Sequence, residues 1–449
     1  MKIGDNQIKL LNLINNYLHK ISSLGIDVAA SGFCWILNVP AAPGYLVLKN
    51  FHKKKILDIK NLFFIFKNII GLSILHNYKL LHKINLDKDF NRLIISIARK
   101  DDFLSDGSYF DRYFNINSRH DPKSMWFLLS LDEVIPKNID KNIVVFGKEN
   151  IKRKYSFIYF LKVLLFNIKI SKGSLIKIFH LSLRSSHFSI IASKSVTKIV
   201  KSKNFKTILM AYEAQPFQNT IFKEIKKLDN NVKLVGYLCS TLSLPSYSFY
   251  RYGAPDLLLV HSSDQIYHLE KYLNWPSDRL RLVPSLRHSY KKSNKYNNSL
   301  VLPTDLPSND LLIKKFELFL NYAEKKSLKP LSVQNHPLMN NSKKHKKFIN
   351  NLNNLILHYS DRFYKNAKKD ISIFFGGTAT ALEALESGFN VIHICTDSVL
   401  ESFSDVFWPS IKVRQIEENI FEYSLRSYGK CINFGNEDNK NKFNKYYTL

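Results

Sequence analysis

The chain has 449 residues, 45% of them hydrophobic, with 15 glycines and 14 prolines. That supports two or three domains with cores of their own and excludes collagen-like or linker-dominated chains. Lys and Arg number 66 against 37 Asp and Glu, a formal net charge of +29, which bears on partners and solubility rather than on fold.

Part of that charge belongs to a composition visibly rich in Lys, Asn and Ile. A functional share favours anionic lipid head groups, diphosphate-linked lipids or nucleotides. Nucleic acid is not expected, because no RNP-like, zinc-finger or Gly-x-x-Gly pattern interleaves the aromatics with the basic runs. Cys34, Cys239, Cys395 and Cys431 form no Cys-x-x-Cys pair, as in a reducing compartment. The first six residues lack the apolar core and small-residue cleavage site of a secretory signal.

Periodicity predicts a helix over 8–21, with Ile8, Leu11, Ile14, Leu18 and Ile21 on one face. The most apolar stretches, 62–75 and 157–170, are broken by Lys67 and by Lys162 and Lys169. Neither offers the roughly 18 uncharged residues of a membrane span. Each either lies along a membrane surface with snorkelling lysine stems or forms a core helix with its lysines in water. Residues 125–129 and 143–146 read as buried strands, and Asp87-Lys88-Asp89 and Asp101-Asp102 as exposed charge.

The pattern sharpens after residue 205. Strands are expected at 207–212, 233–237, 256–260 and 281–283. Helices are expected at 217–228, after Pro216, and from an N-cap in Ser262-Ser263-Asp264 to Leu273. The polar run 289–299 reads as a linker. A second set follows: a strand opening at 301–302, a helix over 310–325, and a strand at 331–333 running into Asn335-His336-Pro337. After it come a strand at 371–375, a helix over 379–387 stopped by Gly388, and a strand at 391–394. Short strands alternating with helices mean parallel α/β sheets. The expected division is an acceptor-side Rossmann-like domain over 1–290, a linker at 291–300 and a donor-binding Rossmann-like domain over 301–449, facing one another across a cleft.

The segment Phe375-Gly376-Gly377-Thr378-Ala379-Thr380-Ala381 carries the most chemistry. A strand ends, two glycines allow close backbone approach, and a helix opens with hydroxyls in its first turn, which suits a phosphate. The alternative is a tight turn with a threonine cap. It lacks Gly-Lys-Ser/Thr and a third spaced glycine, so it is neither a P-loop nor a dinucleotide fingerprint. The only Asp-x-Asp is the charged triplet at 87–89. No zinc spacing and no Gly-x-Ser-x-Gly occur.

The stretch from Gly376 to Gly388 with Val391-Ile392 resembles the donor-binding βαβ unit of GT-B glycosyltransferases. Asn335-His336-Pro337 resembles the His-Pro motif of bacterial sialyltransferases. Tyr212-Glu213-Ala214-Gln215-Pro216-Phe217 with Gly236-Tyr237-Leu238-Cys239-Ser240-Thr241 resembles bacterial surface-polysaccharide transferases of the O-antigen type. Cys239 stands where that pattern has His. The resemblance covers about residues 205–425 and implies an inverting, metal-independent GT-B-like enzyme of O-antigen or capsule synthesis. Its donor would be a nucleotide-sugar, with CMP-activated sialic-acid-like or Kdo-like sugars favoured by the His-Pro motif, and its acceptor a glycan or lipid-linked glycan. No cofactor is implied. The location would be cytoplasmic, peripheral on the inner face of the membrane.

Single displacement needs a base for the acceptor hydroxyl and a cage for the leaving phosphate. Glu213, at a strand end, is the expected base. His336, Gly376, Gly377, Thr378 and Thr380 would meet the donor, with Glu383 reaching ribose hydroxyls; Gln215, Tyr237, Ser240 and Thr241 would line the cleft. Each also has a plain role open to it, as surface carboxylate, buried histidine or helix cap. Rival readings are a CDP-glycerol-type polymer transferase and an inactive GT-B-like scaffold, the latter kept open by Cys239.

Overall fold

Apolar strands buried on both faces need cover on both faces, and that condition builds parallel α/β layers. The computed structural model describes residues 3–35, 78–81, 89–130, 138–148, 161, 164–165, 168–169, 172, 174–288, 296–304, 306, 309–336, 339–368, 370–436, 438 and 443–447. The stretch 62–75, Asp87, Lys88, residues 289–295 and Pro337 lie outside them.

Helix α1 (Ile3–Ser23) precedes β1 (Tyr78–Leu80), β2 (Arg92–Ala98), a small hairpin of β3 (Phe110–Asp111) and β4 (Ile116–Asn117), then β5 (Ser124–Ser130) and β6 (Ile143–Lys148). Next come α2 (Leu175–Leu181), α3 (Arg184–Lys201), β7 (Thr207–Tyr212), α4 (Pro216–Leu228), β8 (Lys233–Leu238), β9 (Leu257–Val260), α5 (Ser263–Tyr272) and β10 (Leu280–Leu282). The remainder is β11 (Ser299–Val301), α6 (Asn309–Tyr322), β12 (Ser332–Gln334), α7 (Lys343–His358), β13 (Ile371–Phe375), α8 (Thr380–Glu386), β14 (Asn390–Ile394), α9 (Ser398–Glu401), β15 (Ile411–Glu417), β16 (Ile420–Leu425) and α10 (Phe443–Tyr447).

The first sheet has the order β1-β6-β5-β2-β7-β8-β9-β10. All neighbours are parallel except β1, which is antiparallel to β6. The chain runs outward from β2 to β5 and β6, then returns beside β2 with β7 and runs the other way. This is the doubly wound Rossmann pattern, and its switch point lies between β2 and β7. The second sheet has the order β12-β11-β13-β14-β16-β15, parallel through β14. Its switch point lies between β11 and β13. The two Rossmann-like units match the GT-B-like fold expected from the sequence.

The chain ends cross between the units. Gln7 of α1 donates to the carbonyls of Val399 (3.0 Å) and Ser402 (2.9 Å). A Cβ on Gly4 would lie 2.3 Å from Val406 Cγ2, so only glycine lets α1 seat there. At the other end Tyr447, in the span 301–449, donates to Asp121 (2.7 Å) and accepts from Arg92 (2.9 Å), against the first sheet.

Three expectations are corrected. Asp102 is buried rather than exposed, because its carboxylate accepts from Arg99 N at 2.8 Å and pairs with Arg112; Asp101 and Asp89 are exposed. Tyr296, inside the run read as a linker, is fully buried, and Ser299 already opens β11. In the stretch 157–170, the described Leu161, Leu165 and Ile168 are 38%, 63% and 40% exposed, so they do not form the apolar face of a core helix. No helix among the described residues is long and apolar enough to cross a membrane.

Candidate active site

Ligands of open α/β sheets bind beyond the carboxyl ends of strands at a switch point. Glu213 follows β7 directly and so occupies that place in the first sheet. Its turn is held unusually firmly. Ala214 has φ +49°, a left-handed conformation that costs a non-glycine residue about 1–2 kcal/mol. Gln218 accepts from the backbone N–H groups of Glu213 (2.8 Å) and Gln215 (2.9 Å) and donates to Ala211 O (2.6 Å). The Ala214 carbonyl accepts from Asn219 and Arg251, both at 2.9 Å. Trp35 donates to the Glu213 carbonyl at 3.3 Å.

The Glu213 side chain is half-buried. Gln215 Nε2 donates to one carboxylate oxygen at 3.0 Å, and the Cys239 thiol faces the other at 3.8 Å. Burial first, and then the Glu213 charge, push the Cys239 thiol well above its ordinary range. A neutral thiol thus stands where the resembling transferases carry His, with its S–H directed at the Glu213 carboxylate. Ser240 is half-buried, with its hydroxyl 2.8 Å from that of Tyr247. Tyr237 and Thr241, expected in the cleft, are 0% and 2% exposed. Tyr237 belongs to the core because this strand is covered on both faces, and its hydroxyl accepts from Leu286 N at 2.9 Å.

The second switch point holds the glycine turn. Gly376 has φ +61°, and a Cβ there would meet Pro303 at 3.4 Å, just after β11. Buried His393 donates from Nε2 to the Gly376 carbonyl at 2.6 Å while its Nδ1 faces Tyr423 OH at 3.2 Å. Burial lowers the pKa of His393 to about 4, so the ring is neutral and keeps those two roles. At Gly377 a Cβ would meet only Glu401 Cγ, at 3.9 Å, leaving open space over the turn. The Thr378 and Thr380 hydroxyls lie 2.6 Å apart, and Thr378 Oγ1 accepts from Thr380 N at 3.3 Å.

His336 lies two residues past β12, the edge strand, one strand beyond β11. At ordinary strand spacing it stands about 10 Å to the side of the β13 turn. The expected donor set is therefore spread along the sheet edge. Glu383 is engaged rather than free for a ribose: Tyr296 OH donates to it at 2.7 Å, and His288 Nδ1 lies 3.8 Å away.

Sequence reading missed the segment that touches both sheets, through Leu286 N on Tyr237 OH and His288 near Glu383. Leaving β10, Ser285-Leu286-Arg287-His288 crosses from the first sheet to the second. The Arg287 charge acts on Cys239 and Tyr113, beside Glu213, and on Tyr296, beside Glu383. Arg287 is exposed. Its signal in the sequence was a strand end followed by Pro284 and two basic residues. Arg251 and His393 gave no signal, since their role is to hold carbonyls of residues remote in sequence. Among the described residues, no three His, Cys, Asp or Glu side chains gather as a metal site.

No family model matches the chain, and none of the curated proteins does. Among solved structures it is similar to a glycosyltransferase from Rickettsia africae ESF-5, at 11% identity and a TM-score of 0.33, over 69% of this chain and 79% of that one. A likeness of that size carries no functional conclusion. The class defined by the fold and the site is a two-sheet α/β protein with a carboxylate at one switch point and an open glycine turn at the other.

Proposed function

We propose that this protein is a GT-B-type glycosyltransferase that moves a sugar from a nucleotide donor to a hydroxyl of a glycan or lipid-linked glycan. The observation that carries the reading is the pairing of switch points. Glu213 lies at one switch point and the Gly376-Gly377 turn at the other, and the Arg287 segment runs between them. In this reading the acceptor O–H loses its proton to Glu213 as its oxygen bonds to the anomeric carbon. The bond from that carbon to the donor phosphate breaks, and the phosphate leaves with the electron pair. Arg287, His288 and the backbone at Gly377 and Thr378 receive the new charge, the service a cage of preorganised donors gives such a transition state.

The finer reading follows the motif resemblances: inverting, metal-independent transfer in bacterial surface-polysaccharide synthesis, with a CMP-activated sialic-acid-like or Kdo-like donor. His336, two residues past β12, would then contact the nucleotide. The test is isothermal titration with CMP, CDP, UDP and GDP, followed by mass spectrometry of nucleotide-sugars mixed with lipid-linked acceptors. Selective binding of CMP with sugar transfer is the expected result. Binding of none of the four would overturn the reading and favour a scaffold.

A further inference from the structure

We infer that Tyr113 forms one wall of the acceptor crevice and stacks against a pyranose ring presented to Glu213. The inference rests on the transferase reading and deepens it, by giving the acceptor side a residue of its own.

The argument begins with an expensive carboxylate. Asp111 is 0% exposed, and burial raises its pKa above the ordinary carboxyl range. Burying such a group is costly unless it is fully hydrogen-bonded. Three of its hydrogen bonds are spent on one turn. Asp111 Oδ1 accepts from the backbone N–H groups of Tyr113 (2.8 Å) and Phe114 (2.7 Å), and Oδ2 accepts from Tyr109 OH at 2.9 Å. The next residue, Asn115, takes φ +56° to close the loop into β4.

That turn has a fixed place over the sheet. Tyr109 OH also lies 3.2 Å from the carbonyl of Ile97, at the carboxyl end of β2. On its other side Phe114 packs against the Tyr237 ring, with centroids 5.8 Å apart, at the carboxyl end of β8. Strand β7 lies between β2 and β8. The hairpin therefore bridges the end of β7, where Glu213 emerges, and Tyr113 is the half-buried residue it holds there. The Glu213 and Arg287 charges both act on its hydroxyl.

A half-buried tyrosine whose hydroxyl feels charged groups suits an amphipathic partner. A sugar ring has that character: C–H faces for the aromatic plane, and hydroxyls for Glu213 and the Tyr113 hydroxyl. A nucleotide base does not need the carboxylate, and its crevice lies on the other sheet.

The experiment uses the full chain and octyl β-glucoside and octyl β-galactoside as probes, observed by saturation-transfer NMR, with CMP and UDP titrated on the same samples. The wild type should transfer saturation to ring protons of at least one glycoside. Tyr113→Ala should weaken that binding about three- to tenfold, the usual worth of an aromatic stack, with nucleotide affinity within twofold. Tyr113→Phe keeps the platform and should stay within about threefold of wild type. Unchanged melting midpoints separate this from a structural effect. The inference is overturned if neither glycoside binds, or if Tyr113→Ala binds them as wild type does. Loss of all nucleotide binding by the wild type would instead overturn the transferase reading, whatever the glycosides do.

Discussion

Arg251 donates from Nη2 to the carbonyl of Ala214 at 2.9 Å, and Ala214 sits at φ +49° immediately after Glu213. Through its other Nη, Arg251 donates to the Cys34 carbonyl at 2.7 Å. The turn that presents the carboxylate is thus held in a strained conformation by a residue 37 positions away. Strain kept at such cost is characteristic of functional sites.

Ala214→Gly removes the left-handed penalty of about 1–2 kcal/mol and adds roughly 0.5–1 kcal/mol of backbone entropy. It also deletes a fully buried methyl, worth about 0.8 kcal/mol, so urea unfolding should show a variant within about 1 kcal/mol of wild type. Arg251→Met removes two charge-assisted hydrogen bonds worth about 1.5–3 kcal/mol each before relaxation, and should lower stability by at least about 2 kcal/mol. Destabilisation of Ala214→Gly by more than about 1 kcal/mol would show that the turn stores no strain.

Glu213→Gln preserves shape and the hydrogen bond from Gln215 but accepts no proton. Turnover should fall by about 10²–10⁴-fold, with nucleotide affinity nearly unchanged, because the proposed donor site is on the other sheet. Turnover within a few-fold of wild type would make Glu213 structural.

Arg287→Ala removes an exposed cation and should leave the fold intact. Hydrogen bonds to a charged phosphate are worth about 1.5–3 kcal/mol, so nucleotide affinity should fall roughly tenfold or more. His336→Ala and Thr378→Val should weaken it too. Unchanged affinity in all three variants would mean that the donor site is misplaced.

His268 is buried, with Nδ1 donating to the Phe407 carbonyl at 3.0 Å, and burial lowers its pKa to about 4. An unfolded histidine titrates near 6.5. Between those values the unfolded chain binds a proton that the folded chain refuses. The His268 contribution is therefore complete above about pH 6.5 and is lost as pH falls toward 4, by up to about 1.4 kcal/mol per pH unit. Buried Asp264 and Glu386, with pKa values raised first by burial, act in the opposite sense, so the comparison must be wild type against His268→Asn. The wild type should lose stability more steeply over pH 6.5–4; parallel curves would refute the assignment.

A net charge of +29 and the exposed Leu161, Leu165 and Ile168 motivate a membrane test. The protein should bind anionic liposomes and release with salt, since exposed charge is screened. Equal binding to neutral liposomes at low salt would sink the idea.

Much of the fold was legible because its strands are short apolar runs bounded by turn residues. β7 and β13 were read at their observed limits, and Ser262 does cap α5, accepting from Gln265 N at 3.0 Å. The stretch before residue 200 resisted, since the β2–β5 connection is a hairpin held by Asp111 rather than a helix with a period. The sequence by itself determined the α/β class, the strand ends that carry Glu213 and Gly376, and the left-handed stop at Gly388, because these depend on local pattern and backbone sterics. Only the tertiary structure decided that Tyr237 is core, that Glu383 is held by Tyr296, and that the Glu213 and Arg287 charges reach Tyr113. Those relations are set by which strands become neighbours, and strand order is a property of long-range packing that no local period encodes.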